Sequence, residues 1–325
     1  MADIGNHRRA GGLAARRTVA LAVTASLLMA CSPQENRGRD AARAAAGSPT
    51  SVGSDAGPEG SPTSGPEDVL ARVPAVPSTS EPGVLADQLD QAATTLRDRD
   101  ARAVDVRRAG EFQQLAVRAL ATAPEAFRRR VMRRLDPETA LITRPAVRAS
   151  RQLHDLTSPQ PKLPRWRIVA PPPPKELLGH YRYAQRRTGV PWTYLAAIHL
   201  VETRMGRIRG TSTAGARGPM QFIPSTWELY GAGGDINDPR DAILAAARLL
   251  KSHGAPRDMA DALWHYNPSD YYVRAVSAYA RTMQLSTYLY RGYWHWRVLY
   301  SHKRGTYVLP VGYPTKRAVL LQEQR

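Results

Sequence analysis

Residues 197–206 read AIHLVETRMG, where one carboxylate, Glu202, closes a segment that is otherwise apolar and spaced as a helix. Taking a carboxylate out of water disfavours its charged form, so a Glu on a buried helix opening onto a cleft stays protonated near neutral pH. That makes it a general acid. The competing reading pairs Glu202 with Arg204 or Arg207, and an arginine in contact would lower the pKa and weaken that role. His199 is spaced to share a helix face with Glu202, as in half of a metal site. No HExxH and no cysteine pair accompanies it, so a core or hydrogen-bonded histidine is expected, with no metal and no cofactor. No GxSxG supplies a serine nucleophile. A two-carboxylate glycosidase needs a second acid, and from Thr203 to Trp227 there is none. The acids that follow have structural explanations: Glu228 stands three after Ser225, as in a capping box, and Asp238 precedes Pro239 as a helix N-cap. What remains near Glu202 is Arg, Ser, Thr, Gln and aromatic side chains.

The elements that position these residues begin at Lys175. KELLGHYRYAQRRTG reads as a helix closed by Gly189, and Pro191 opens PWTYLAAIHLVETRMG, apolar on nearly every face from Trp192 to Val201 as a central helix is. After the loop RIRGTSTAGARGPMQFIP come a short helix at Ser225, a helix from Asp238 to Gly254, and two more in DMADALWHYN and DYYVRAVSAYARTM. Alternation of Trp294, Trp296, Val298 and Tyr300 around a basic, Gly-containing turn predicts a terminal β-hairpin over a small apolar core; an aromatic binding face is the sharper alternative. Upstream, residues 84–157 show apolar residues at helical spacing among many arginines, and 158–174 is a proline-rich linker. The fold class expected is mainly α: a helical domain over 175–291 that carries Glu202, a hairpin and tail over 292–325, and a short helical region ahead of them.

All six Trp and all fourteen Tyr fall after residue 160, which places the well-packed domain in the C-terminal half. A formal net charge of +18 points to polyanionic partners: nucleic acid, lipid headgroups or an acidic polymer. The N-terminus narrows the choice. Arg8, Arg9, Arg16 and Arg17 precede an apolar run, Val19 to Ala30, too short to span a bilayer but suited to an export signal over 1–30. It ends in LLMAC, and Cys31 is the only cysteine. That arrangement resembles the lipobox of bacterial lipoproteins, which implies a lipid on Cys31 and a membrane-anchored protein facing the cell wall or periplasm. Residues 31–83, rich in Ser, Pro, Gly and Ala, then read as a disordered tether. Export removes nucleic acid from the expected partners and leaves the membrane surface and the wall.

The series VETRMG, TSTAGARGPMQFIPSTW, DPRDAILAAARLL and ALWHYN resembles the lytic transglycosylase family of peptidoglycan-cleaving enzymes, over roughly residues 175–290. The resemblance implies a lysozyme-like fold and a single catalytic acid and base, which maps onto Glu202. It maps a loop serine onto Ser212, the segment lining the sugar cleft onto Met220, Gln221 and Phe222, and a Tyr-Asn pair onto Tyr266 and Asn267. The substrate so implied is the peptidoglycan glycan strand. It is cut between N-acetylmuramic acid and N-acetylglucosamine, with the sugar's own 6-hydroxyl as nucleophile and a 1,6-anhydro product. Gln221 and Asn267 would then hold the 2-acetamido group, while Tyr266, Phe222 and the pair Tyr271 and Tyr272 would stack on sugar faces. A hydrolytic muramidase on the same fold and a non-catalytic wall-binding scaffold remain the alternatives.

Overall fold

The computed structural model describes residues 81–321. The expected export signal, lipidated Cys31 and nearly all of the 31–83 tether lie outside the described residues.

The chain folds as helices α1 (Pro82–Arg97), α2 (Ala103–Thr122), α3 (Glu125–Arg134) and α4 (Pro137–Leu156), then strand β1 (Arg167–Ile168), α5 (Pro174–Thr188) and α6 (Trp192–Thr203). Next come β2 (Ile208–Arg209), α7 (Pro224–Tyr230), α8 (Pro239–Ser252), α9 (Met259–Tyr266), α10 (Asp270–Leu285) and α11 (Leu289–Trp294). Strands β3 (Val298–His302), β4 (Gly305–Leu309) and β5 (Val319–Leu320) complete the order. Helices dominate and the sheets are small and antiparallel, which agrees with the mainly α class expected. Among the described residues no helix is long and apolar enough to cross a membrane.

Local signals set most helix ends. Gly189 closes α5 with φ 83°, a conformation glycine adopts without a Cβ clash. The Asp238 carboxylate accepts from the Asp241 N–H and Pro239 takes the first position of α8, as N-capping requires. Two expectations are corrected. Helix α7 starts at Pro224 with Ile223 as its cap residue and no side-chain cap bond, because proline's fixed φ already seeds the first turn; Ser225 and Glu228 make no capping box. Trp294 belongs to α11, with its indole N–H donating to the Pro172 carbonyl at 2.9 Å, so the alternating aromatic pattern spans a helix end and the start of the hairpin.

Helix α10 is central, packed against α4 on one side and α6 on the other, while α5 lies on α8. One continuous apolar core runs from Leu85, Leu96 and Val131 through Leu195, Ile198 and Leu250 to Tyr279 and Tyr293. The N-terminal helices are therefore built onto the C-terminal ones. Where α2 crosses α11, a Cβ on Gly110 would sit 2.7 Å from the Gly292 carbonyl oxygen, so glycine permits the close approach. Beside that crossing Gln114 exchanges two 2.8 Å hydrogen bonds with the backbone of Arg297, whose guanidinium pairs with Glu111 at 2.9 Å.

The proline-rich stretch 158–174 is tied into the same body. Gln160 bonds to Ser301 and Lys303, β1 pairs with β2 in register Ile168 to Ile208, and Trp166 packs edge-on against Tyr300 at 5.5 Å. Trp166, Ile168, Ile208, Val298, Tyr300, Leu309 and Tyr313 form a second small core beneath the hairpin. The buried ring of Tyr300 is part of that core, so the hairpin aromatics pack inward.

Candidate active site

Glu202 lies in the last turn of α6, a helix whose side chains are almost all buried, and is itself 8% exposed. Burial pushes its carboxyl up from the ordinary 4.5 to about 7, and the Tyr272 hydroxyl, close enough to favour the charged form, pulls it partly back. Neither nearby arginine intervenes. Arg204 turns its guanidinium back to the Leu200 carbonyl at 2.6 Å, and Arg207 reaches toward the Arg204 carbonyl at 3.3 Å and lies over the Trp294 ring at 5.3 Å. Burial lowers the pKa of both guanidiniums, and neither makes an ion pair with Glu202 among the described residues.

The turn after Glu202 explains that orientation. Arg204, Met205 and Gly206 carry φ of 54°, 60° and 84° in succession. The Arg204 and Met205 N–H groups close back onto Leu200 and His199, ending the helix abruptly. The Thr203 hydroxyl donates to the Pro219 carbonyl at 2.6 Å and accepts from the Gly206 N–H at 3.1 Å, which pins the helix end to the following loop. His199 is wholly buried, its Nδ1 2.7 Å from the Tyr181 hydroxyl. Burial pushes its pKa down to about 3, so it is neutral. Among the described residues no group of three His, Cys, Asp or Glu could hold a metal ion.

The loop between β2 and α7 displays the other residues. The Ser212 hydroxyl accepts from the Ala216 N–H at 3.0 Å and its backbone closes the same turn, so Ser212 braces the loop. Arg217 and Phe222 pair across a tight turn in which Gln221 has φ 51°. Gly218, at φ 74°, has no room for a Cβ against the Ile236 carbonyl oxygen. The Gln221 side-chain N–H donates to the Gly218 carbonyl at 2.8 Å. Met220 and Phe222 are buried, and Phe222 packs edge-on to Trp227 and Tyr266.

From α9 the Tyr266 hydroxyl donates to the Met220 carbonyl, and its ring lies parallel to Tyr272 of α10 with centroids 6.3 Å apart. Both phenols feel the Glu202 charge, and burial holds both well above their ordinary pKa. Asn267 ends α9. Tyr271 faces outward, half-exposed beneath Arg274, and cannot share a sugar face with Tyr272. Near Glu202, Gln221 Oε1 and Asn267 Oδ1 are among the buried polar atoms that lack a hydrogen-bond partner among the described residues. An orphaned buried group costs about 1–3 kcal/mol, and two acceptors left open on the segments around Glu202 describe a site prepared for a polar ligand.

Glu202 also opens on a cavity with Arg204, Tyr279 and Trp296, walled by Arg118 of α2, Ser150 and His154 of α4, and Tyr300 of β3. No second carboxylate lines it. These wall residues escape sequence reasoning because they arrive from segments far along the chain with only amphipathic helical patterning to mark them.

Residues 180–284 match the family described as Transglycosylase SLT domain, and Glu202, Ser212, Met220, Gln221, Phe222, Tyr266, Asn267 and Tyr272 all fall within the matched stretch. Over 75 residues the chain is 36% identical to the membrane-bound lytic murein transglycosylase F of Thiobacillus denitrificans, covering 23% of this chain and 16% of that protein. The chain thus spans about a sixth of the length of that relative. No solved structure matches.

Proposed function

We propose that the protein is a peptidoglycan lytic transglycosylase. The observation that carries this is Glu202: a buried carboxyl titrating at about 7 that, among the described residues, has no ion-pair partner and no second acid lining its cavity. Such a group serves as acid and then as base, provided the substrate brings its own nucleophile.

Protonated Glu202 gives its proton to the glycosidic oxygen between N-acetylmuramic acid and N-acetylglucosamine. The bond from that oxygen to the muramic anomeric carbon breaks, and oxocarbenium character develops on the muramic ring. The ring's 6-hydroxyl oxygen bonds to the anomeric carbon and its proton passes to the Glu202 carboxylate. The acid is regenerated, no water is consumed, and the product is a 1,6-anhydro sugar. Gln221 Oε1 and Asn267 Oδ1 are acceptors awaiting donors, which the acetamido N–H and sugar hydroxyls supply. The Tyr272 hydroxyl donates to Glu202 once it is ionised. Ser212 holds the loop that presents Gln221, while Met220, Phe222 and Tyr266 support it from beneath. Export, lipid attachment at Cys31 and action on the wall from a membrane anchor complete the reading, supported by the basic N-terminus, the LLMAC sequence and the membrane-bound relative.

Digestion of purified sacculi by the parent protein and by Glu202→Gln, with products weighed by mass spectrometry, is the test. Anhydro muropeptides from the parent and none from Glu202→Gln are expected. Reducing-end products one water heavier would identify a hydrolase, and equal release by both proteins would remove Glu202 from the chemistry.

A further inference from the structure

A second concave site lies away from the Glu202 cleft. A groove of about 870 Å³ runs between α3, α4 and α10, lined by Arg133, Arg144, Arg148, Arg274 and Arg281 and by no carboxylate. On α10 the cleft residues Tyr272 and Tyr279 each stand two positions before a groove residue, Arg274 and Arg281. Two positions are about 200° around a helix, so groove and cleft occupy opposite faces of α10.

All five arginines are exposed. Arg274 is engaged: its Nε donates to Gln152 at 2.7 Å and a terminal nitrogen lies 3.8 Å from Asp270. Arg133, Arg144 and Arg148 make no hydrogen bond or ion pair among the described residues. Like charges held along one groove repel one another, and a bound anion relieves that repulsion. Arg144 and Arg148 are one turn apart, about 6 Å along the axis. Arg274 and Arg281 repeat over about 10 Å on the facing helix. Cations repeating along a line suit a chain of repeating anions better than a single ion. Guanidinium forks match the two free oxygens of a phosphodiester, and their charge is permanent. Between them Leu135, Ala140 and Ala278 form a buried apolar floor, on which uncharged linking atoms of a chain can lie.

Other anions fit less well. A membrane surface is met by several exposed apolar side chains beside basic ones, whereas Leu141, 53% exposed, is the one large apolar side chain exposed on this lining. Grooves that hold single-stranded nucleic acid add aromatic rings on which the bases stack, and among the described residues no aromatic side chain lines this groove. We propose that this groove binds a phosphodiester-linked polyol chain, an anionic polymer other than the glycan cut at Glu202, and holds the protein on it with the cleft facing away.

The test is titration of the full chain with poly(glycerol phosphate), with polyglutamate of equal charge, and with phosphatidylglycerol vesicles, across a series of salt concentrations. The parent should bind poly(glycerol phosphate) most tightly. Replacing Arg133, Arg144 and Arg148 together by Gln should weaken that binding at least tenfold and flatten the salt dependence by about 2 in slope, from roughly 0.7 per phosphate contact. Replacement by Lys should keep the slope, which separates lost charge from lost folding. Both variants should cleave a short soluble glycan like the parent. Undiminished binding by the Gln variant, equal binding of polyglutamate, or preference for vesicles would each overturn the proposal. Binding is read without turnover, so the outcome is independent of the chemistry at Glu202.

Discussion

Glu202→Gln should stabilise the protein while abolishing its activity, and only above a certain pH. Glutamine keeps the shape of the side chain and removes the charge that burial penalises. Because the carboxyl titrates at about 7 in the folded chain against an ordinary 4.5, the folded state holds an extra proton between those values. The stability this provides is complete below 4.5, falls as pH rises toward 7, and is gone above it. At about 1.4 kcal/mol per pH unit, the displacement corresponds to roughly 3 kcal/mol by pH 8. For a domain of this size that is about 6–12 °C in melting temperature. Calorimetric melts of both proteins at pH 4 and pH 8 read it directly: the curves should nearly coincide at pH 4 and separate at pH 8, with glutamine the higher. A gap that is the same at both pH values, or a destabilised glutamine variant at pH 8, would refute the claim that desolvation rather than pairing sets this carboxyl. Turnover by the parent should instead fall as pH rises through about 7, where the folded-state acid ionises.

Tyr272→Phe removes the hydroxyl that favours ionised Glu202, so the alkaline limb of the pH-rate profile should move to higher pH while kcat drops several-fold; a limb moving downward would contradict the assignment. Gly218→Ala forces a Cβ onto the Ile236 carbonyl at φ 74°, a positive-φ strain of about 1–3 kcal/mol before the overlap is counted. Cleavage should fall far more than helical circular dichroism. Gln114→Leu leaves the Arg297 N–H and carbonyl unpaired where α2 meets the chain before β3, costing about 2–6 kcal/mol at roughly 1–3 per orphaned group. Urea unfolding should show the loss, with amide exchange rising first in α2.

What was legible in the sequence is what local chemistry decides. The apolar run before Glu202, the Gly189 terminus and the Asp238–Pro239 start each depend on a few consecutive residues, and each stands in the structure as its local physics requires. Pro124 separates α2 from α3 at Ala123, which is extended with ψ 153°, since the residue before a proline avoids the helical region. Contacts between distant segments had no such signature. Gln114 meets Arg297 across 183 positions, and Trp166 reaches Tyr300 from within a stretch whose prolines resemble a spacer. The wall that α2, α4 and β3 give the Glu202 cavity follows from those meetings, and no periodicity along one helix encodes it.

The arginines beside Glu202 show why a site needs its backbone as well as its residues. VETRMGR puts two cations within five positions of the acid, and a guanidinium in contact would drive the carboxyl below its ordinary pKa. Arg204 and Met205 instead take left-handed backbone at 54° and 60°, each at a cost of about 1–3 kcal/mol for a non-glycine residue. That departure from the helix sends the Arg204 side chain back to the Leu200 carbonyl and carries Arg207 onto Trp294. Thr203, tied to Pro219 and Gly206, holds the turn in place. The strained turn keeps positive charge off Glu202 while the apolar helix keeps water away from it, and a single carboxylate is left able to give up a proton and take it back.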